Sequence, residues 1–130
     1  MNVGDYVRAK NGEIGKLVNV ELYYVLGHSD KDKYCCVQFN NSFIPCLVSN
    51  DFITKKGRII DIIQIGDYVN GEKVCYLKGD IEKSEVANEE DVLYTEYNDE
   101  YGEWYGFAED KIESIVTHEQ FVSMEYKVSD

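Results

Sequence analysis

The segment from Asp80 to Asp110 concentrates the side chains best suited to chemistry at a surface. It holds twelve Asp/Glu against one Lys, interleaved with Tyr94, Tyr97, Tyr101, Trp104, Tyr105 and Phe107. Carboxylates at this density repel polyanions and draw in basic surfaces, and opposed charged surfaces speed association by roughly 10- to 1,000-fold at low salt. Aromatic rings among them add apolar area that is desolvated at a contact, which charge alone does not supply. Glu96, Asp99, Glu100 and Glu103, with Tyr101, Trp104 and Tyr105, are therefore candidate partner-binding residues. Their carboxylates would stand where phosphates do on the basic groove of a nucleic-acid-binding protein. The competing reading is a strand hairpin with a solvated charged face and an aromatic core.

A second set of residues suits a phosphorylated small molecule. Tyr6, Arg8 and Lys10 alternate along one strand and are expected on one exposed face, while Lys55, Lys56 and Arg58 form the other basic cluster. An aromatic ring for stacking and cations for phosphate would make a nucleotide site. Ordinary surface solubility explains the same residues.

Catalysis finds little support. His28 and His118 are the only histidines, neither lies in an HExxH or nucleophile setting, and no glycine cluster has phosphate-loop spacing. The cysteines Cys35, Cys36, Cys46 and Cys75 include no CxxC pair, so they are expected to be small core hydrophobes rather than zinc ligands or disulfides. No metal or organic cofactor and no enzymatic activity are expected.

Charge sharpens the contrast between the two ends of the chain. Residues 1–63 carry eight Lys/Arg against seven Asp/Glu, and residues 64–130 carry five against eighteen, within a net charge of −12. A basic nucleic-acid footprint is absent, so direct nucleic-acid binding is not expected. The most apolar stretch, Ile59 to Ile65, is interrupted by Asp61 and Gln64, and the start has neither a basic nor an apolar leader region. No membrane span is expected, and the expected location is the cytoplasm.

The elements that must position these residues follow from an internal repeat. Val3-Gly4-Asp5-Tyr6-Val7 recurs as Ile65-Gly66-Asp67-Tyr68-Val69, which predicts two related units, 1–63 and 64–130. Asn11-Gly12 and Asn70-Gly71 follow the two copies and predict type I′ hairpin turns. In the first unit, strands are expected from Val3 to Lys10, through Ile14, Leu17, Val18 and Val20, from Tyr34 to Phe39 with Cys35, Val37 and Phe39 on one face, and from Phe43 to Val48. A loop is expected from Gly27 to Lys33, and Pro45 marks an edge strand. In the second unit, strands are expected at Tyr68-Val69, Val74 to Leu77, Val92 to Tyr97, Tyr101 to Phe107 and Ile112 to Val116. Thr117 with Gln120 reads as a capping box opening a short helix, with Phe121 and Met124 facing inward. Ile59 to Ile63 is expected to be a buried strand joining the units. Gly4, Gly66, Asp5 and Asp67 are expected to shape strand entry. The fold class is mainly β, two tandem small barrels packed together with a short C-terminal helix.

Val3 to Val7, continued through Gly12, Gly15 and Val18, resembles the opening of KOW and other SH3-like barrels. The stretch Ile62 to Gly71, together with Glu109 to Phe121 and Met124 to Val128, resembles uncharacterised small phage and prophage proteins of Gram-positive bacteria. That likeness implies an accessory protein of an infected or lysogenic host that counters a bacterial defence component by binding it, in the manner of an anti-CRISPR protein. The basic residues named above leave a sponge for a signalling nucleotide of host defence as an alternative, and the SH3-like resemblance implies an interaction adaptor as a third.

Overall fold

The computed structural model describes residues 3–18, 34–40 and 42–124. The chain divides into two compact units, Met1–Ile62 and Ile63–Asp130. His28, Val20 and the expected Gly27–Lys33 loop lie outside the described residues.

In the first unit the order is β1 (Tyr6–Ala9), β2 (Ile14–Leu17), β3 (Tyr34–Phe39), β4 (Cys46–Ser49), a 3₁₀ turn (Asn50–Phe52), β5 (Ile53–Gly57) and one helical turn, α1 (Ile59–Ile62). The strands form one antiparallel sheet in the order β4-β3-β2-β1-β5. Alternation turns Val7, Ala9, Leu17, Cys35, Val37 and Phe39 into a shared core, against which Val48, Phe52 and Ile53 pack.

The second unit runs β6 (Tyr68–Val69), β7 (Glu72–Lys73), β8 (Tyr76–Leu77), a 3₁₀ turn (Lys83–Glu85), β9 (Asp91–Asn98), β10 (Glu103–Ala108), a 3₁₀ turn (Glu109–Lys111), β11 (Ile115–Val116) and α2 (His118–Ser123). Its strands make two sheets, β10-β9-β8 and β11-β6-β7.

The sequence repeat is a repeat of backbone hydrogen bonds. Gly4 N–H donates to Leu17 O at 2.9 Å and Leu17 N–H to Asp5 O at 2.9 Å; Gly66 N–H donates to Val74 O at 2.9 Å and Val74 N–H to Asp67 O at 2.8 Å. Gly4 and Gly66 hold φ of 94° and 97°, a region that L side chains rarely enter. Each unit then sets its first strand between its second and its last, β2-β1-β5 and β7-β6-β11. The residue after the pentapeptide closes each frame. Arg8 Nη1 donates to Ile62 O at 3.0 Å. Asn70 donates through Nδ2 to Lys111 O at 2.8 Å, and its Oδ1 accepts from Glu113 N–H at 2.8 Å and Ser114 N–H at 3.1 Å.

Several expectations are corrected. The described strands do not close into barrels. In the first unit the 3₁₀ turn separates β4 from β5 and leaves both as sheet edges, and in the second the pairing splits between two sheets. Ile59 to Ile62 is helical, not a strand. Gly57, at φ 136°, ends β5, and the Asp61 carboxylate accepts from Arg58 N–H at 2.8 Å to start a turn. Asn70-Gly71 has both residues at positive φ, as a type I′ turn requires, but in Asn11-Gly12 only Gly12 does. There the Asn11 side chain accepts from Glu13 N–H instead.

Phe43 to Pro45 belongs to the turn before β4, with Phe43 and Ile44 exposed, since the Ser42 hydroxyl donates to Ile44 O. Cys35 and Cys36 are buried, whereas Cys46 is exposed at the start of an edge strand and Cys75 is half-buried; all four are free thiols. The Thr117–Gln120 capping box is present. Phe121 lies half-exposed against Tyr68, with ring centroids 4.7 Å apart, and Met124 is 80% exposed beyond the helix, so neither enters a core.

Candidate functional site

Two glycines and one asparagine shape the β9–β10 hairpin. A Cβ on Gly106 would sit 1.7 Å from Leu93 O, so only glycine allows the strands to approach at the bulge between Tyr105 and Gly106. At the far end Asn98 organises the loop. Its Oδ1 accepts from Glu100 N–H at 2.9 Å and Tyr101 N–H at 3.3 Å, its carbonyl accepts from Gly102 N–H at 2.8 Å, and Gly102 takes φ 66°.

The register beyond the bulge pairs Tyr105 with Glu96, Trp104 with Tyr97 and Glu103 with Asn98. Directly opposed residues share a face and successive pairs alternate. Trp104 and Tyr97 therefore lie on one face, Glu96, Glu103 and Tyr105 on the other, and Asp99, Glu100 and Tyr101 on the connecting loop. The seven candidate residues thus meet on one hairpin end but are divided between its faces. Among the described residues none of Glu96, Asp99, Glu100 and Glu103 forms an ion pair; the ion pair present there, Arg58 with Asp61 at 3.9 Å, belongs to the first unit.

Trp104 is half-buried in an aromatic cluster. Tyr97 lies 5.1 Å from it at 54° between planes, and Tyr76 lies 5.1 Å away at 84°. Neither ring stacks parallel to the indole, and Tyr97 and Tyr76 are 46% and 39% exposed. Tyr76 is a site residue the sequence reading missed. It reaches Trp104 because β8 pairs with β9 and sets Tyr76 opposite Tyr94. On its outer side Trp104 forms a parallel bridge with Val86, and its carbonyl accepts from Ala87 N–H at 3.0 Å. At the base of the hairpin Tyr94 is buried and its hydroxyl donates to Asp91 O at 3.3 Å. Burial pushes the Tyr94 phenol and the Asp91 carboxyl above their ordinary ranges.

The alternative, basic set is dispersed. Arg8 is 1% exposed rather than on an open face, because α1 lies against β1 and its Ile62 carbonyl takes the guanidinium. The Tyr6 ring has Lys16 Nζ 4.8 Å from its centroid. Lys10 is exposed, and Arg58 faces Asp61. Lys55 and Lys56 stay together, lining a cavity of about 210 Å³ with Asn50, Ile53 and Thr54.

Among the described residues no group of three or more His, Cys, Asp or Glu is placed to hold a metal ion, and no helix is long and apolar enough to cross a membrane. No protein-family model, curated protein or solved structure matches this chain.

Proposed function

We propose that the protein acts by binding, as a phage-type accessory protein that blocks a bacterial defence component through the β9–β10 hairpin. The observation that carries this reading is the hairpin end itself. Four carboxylates without ion-pair partners among the described residues share the hairpin end with a half-buried tryptophan, Glu96 and Glu103 on the opposite face and Asp99 and Glu100 on the loop. Such a surface is costly to neutralise from within and complementary to a basic groove, where aromatic anchors supply the desolvated contact. The SH3-like reading of each unit rests on the repeated glycine turn and on the first strand lying between the second and the last. The test is protection of phage plating in a Gram-positive host that carries a defence system. Expression of the chain should restore plaques, and the variant E96K/D99K/E100K/E103K should lose that effect while keeping its far-ultraviolet circular dichroism. Full protection by the reversed variant would remove the hairpin from the function.

The cavity beside Lys55 and Lys56 favours a second reading, a sponge for a signalling nucleotide. Calorimetric titration with cyclic and linear nucleotides would show heat that disappears in K55A/K56A. Absence of heat with every nucleotide would eliminate it.

A further inference from the structure

We infer that Trp104, flanked by Tyr76 and Tyr97, is the seat for a cationic side chain of the protein partner, an arginine in preference to a lysine. The inference rests on the hairpin being the contact surface and adds which group enters it.

Three observations converge. First, the indole is half-buried, and the two described rings against it meet it at 54° and 84°, so neither of them lies flat on its face. The negative face of such a ring attracts a cation within about 6 Å, and tryptophan does so most strongly. Second, no Lys or Arg occurs between Lys83 and Lys111, so no cation of this stretch competes for the indole. In the first unit the equivalent attraction is already used, with Lys16 over Tyr6. Third, the loop that follows Tyr97 carries Asp99 and Glu100, two exposed carboxylates held at the tip by the Asn98 turn. A guanidinium is planar, so it can lie against a ring and still donate in-plane N–H bonds to carboxylates; an ammonium is a compact point charge that must give up its water to do either. Aromatic surface on a hairpin whose tip carries carboxylate acceptors therefore selects arginine.

Trp104 is the only tryptophan in the chain, so its emission reports this site and no other. The probe is a capped Gly-Arg-Gly-Arg-Gly peptide, with the same peptide carrying lysine or neutral citrulline in place of arginine as comparisons. The arginine peptide should change Trp104 emission saturably, the lysine peptide should bind several-fold more weakly, and the citrulline peptide should leave the emission unchanged. Tyr97→Leu and Tyr76→Leu should each weaken the arginine peptide by roughly 2- to 10-fold, the effect of one desolvated cation–π contact. Trp104→Leu, read by calorimetry, should weaken it most. Both tyrosines are well exposed, so these variants keep the fold, which circular dichroism checks. Citrulline binding as tightly as arginine, or no peptide binding at all, would overturn the inference. So would arginine-peptide binding that is lost in E96K/D99K/E100K/E103K yet leaves Trp104 emission and the tyrosine variants unaffected. That last result would leave the acidic hairpin standing as the contact surface without this seat.

Discussion

Residues 34–49, which form β3, β4 and their turn, contain no charged side chain, whereas residues 91–108, which form β9, β10 and their loop, contain five carboxylates and no base. The tips differ in the same sense. Phe43 and Ile44 project into solvent from the first hairpin, and Asp99 and Glu100 from the second. Beneath this contrast the two units keep matching glycine turns and matching cross-strand bonds. The frame depends on few residues, Gly4 or Gly66, Asp5 or Asp67, and the side chain that follows the pentapeptide. Surface chemistry on the β3–β4 and β9–β10 hairpins is left unconstrained by it, so the same short backbone frame carries two different faces.

The largest way to break the comparison is at a crowded glycine. In Gly106→Ala the new methyl meets Leu93 O at 1.7 Å, a backbone atom that cannot swing aside. The hairpin should lose about 3 kcal/mol or more, read as a fall in urea midpoint. Amide exchange should quicken in β9 and β10 while β1 and β2 stay protected. Equal loss of protection in both units would mean that the acidic hairpin holds more of the molecule than its own unit.

The closing residue of each frame gives the next effect. Asn70→Ala removes three hydrogen bonds and places a methyl-bearing residue at φ 52°, and should cost about 2 to 3 kcal/mol. Asn70→Gly restores the conformational freedom but not the bonds, so the gap between the two variants isolates the backbone share. Arg8→Met keeps the stem's packing and removes the donor to the buried Ile62 carbonyl, for about 2 kcal/mol. If both losses appear in denaturant midpoints, the position after the pentapeptide serves the same purpose in both units through different chemistry. A neutral Arg8→Met would restrict that purpose to Asn70.

How much of this was legible in the sequence depends on the range of the interaction. Each copy of the pentapeptide, the capping box and each strand of the β9–β10 hairpin were readable because each is specified by residues adjacent in sequence. Arg8 was misplaced because strand alternation reports only which face a side chain takes, and α1, 54 residues away, covers that face. Ile59 to Ile63 was misassigned because four isoleucines around a single Asp61 are too short a run to carry a period that distinguishes strand from helix, and the Asp61 turn decides it. Tyr76 escaped notice as a partner of Trp104 because their meeting depends on the β8–β9 register. The division of Glu96 and Trp104 between faces was not readable from alternation alone, because they lie on different strands and the loop length fixes the register that sets Tyr97, and not Glu96, opposite Trp104.

The smallest expected effect tests whether the acidic hairpin is under electrostatic strain at its base, where the uncharged β3–β4 hairpin has no counterpart. Burial raises the Asp91 carboxyl above its ordinary 3.8, the Glu90 charge adds to the rise, and a hydrogen bond from Gly106 N–H opposes it. A carboxyl raised by folding binds its proton more tightly in the native state than in the unfolded chain. Its favourable contribution is therefore present below pH 3.8 and is lost as pH rises through the raised value. Asp91→Asn keeps an oxygen to accept from Gly106 but cannot ionise. It should match or slightly exceed the parent in stability at neutral pH, and that advantage should shrink as pH falls toward 3.8, in urea midpoints measured between pH 3 and 7. A difference independent of pH would show that the Gly106 bond and solvent already compensate the charge, and that the acidic hairpin rests on its base as comfortably as the uncharged one.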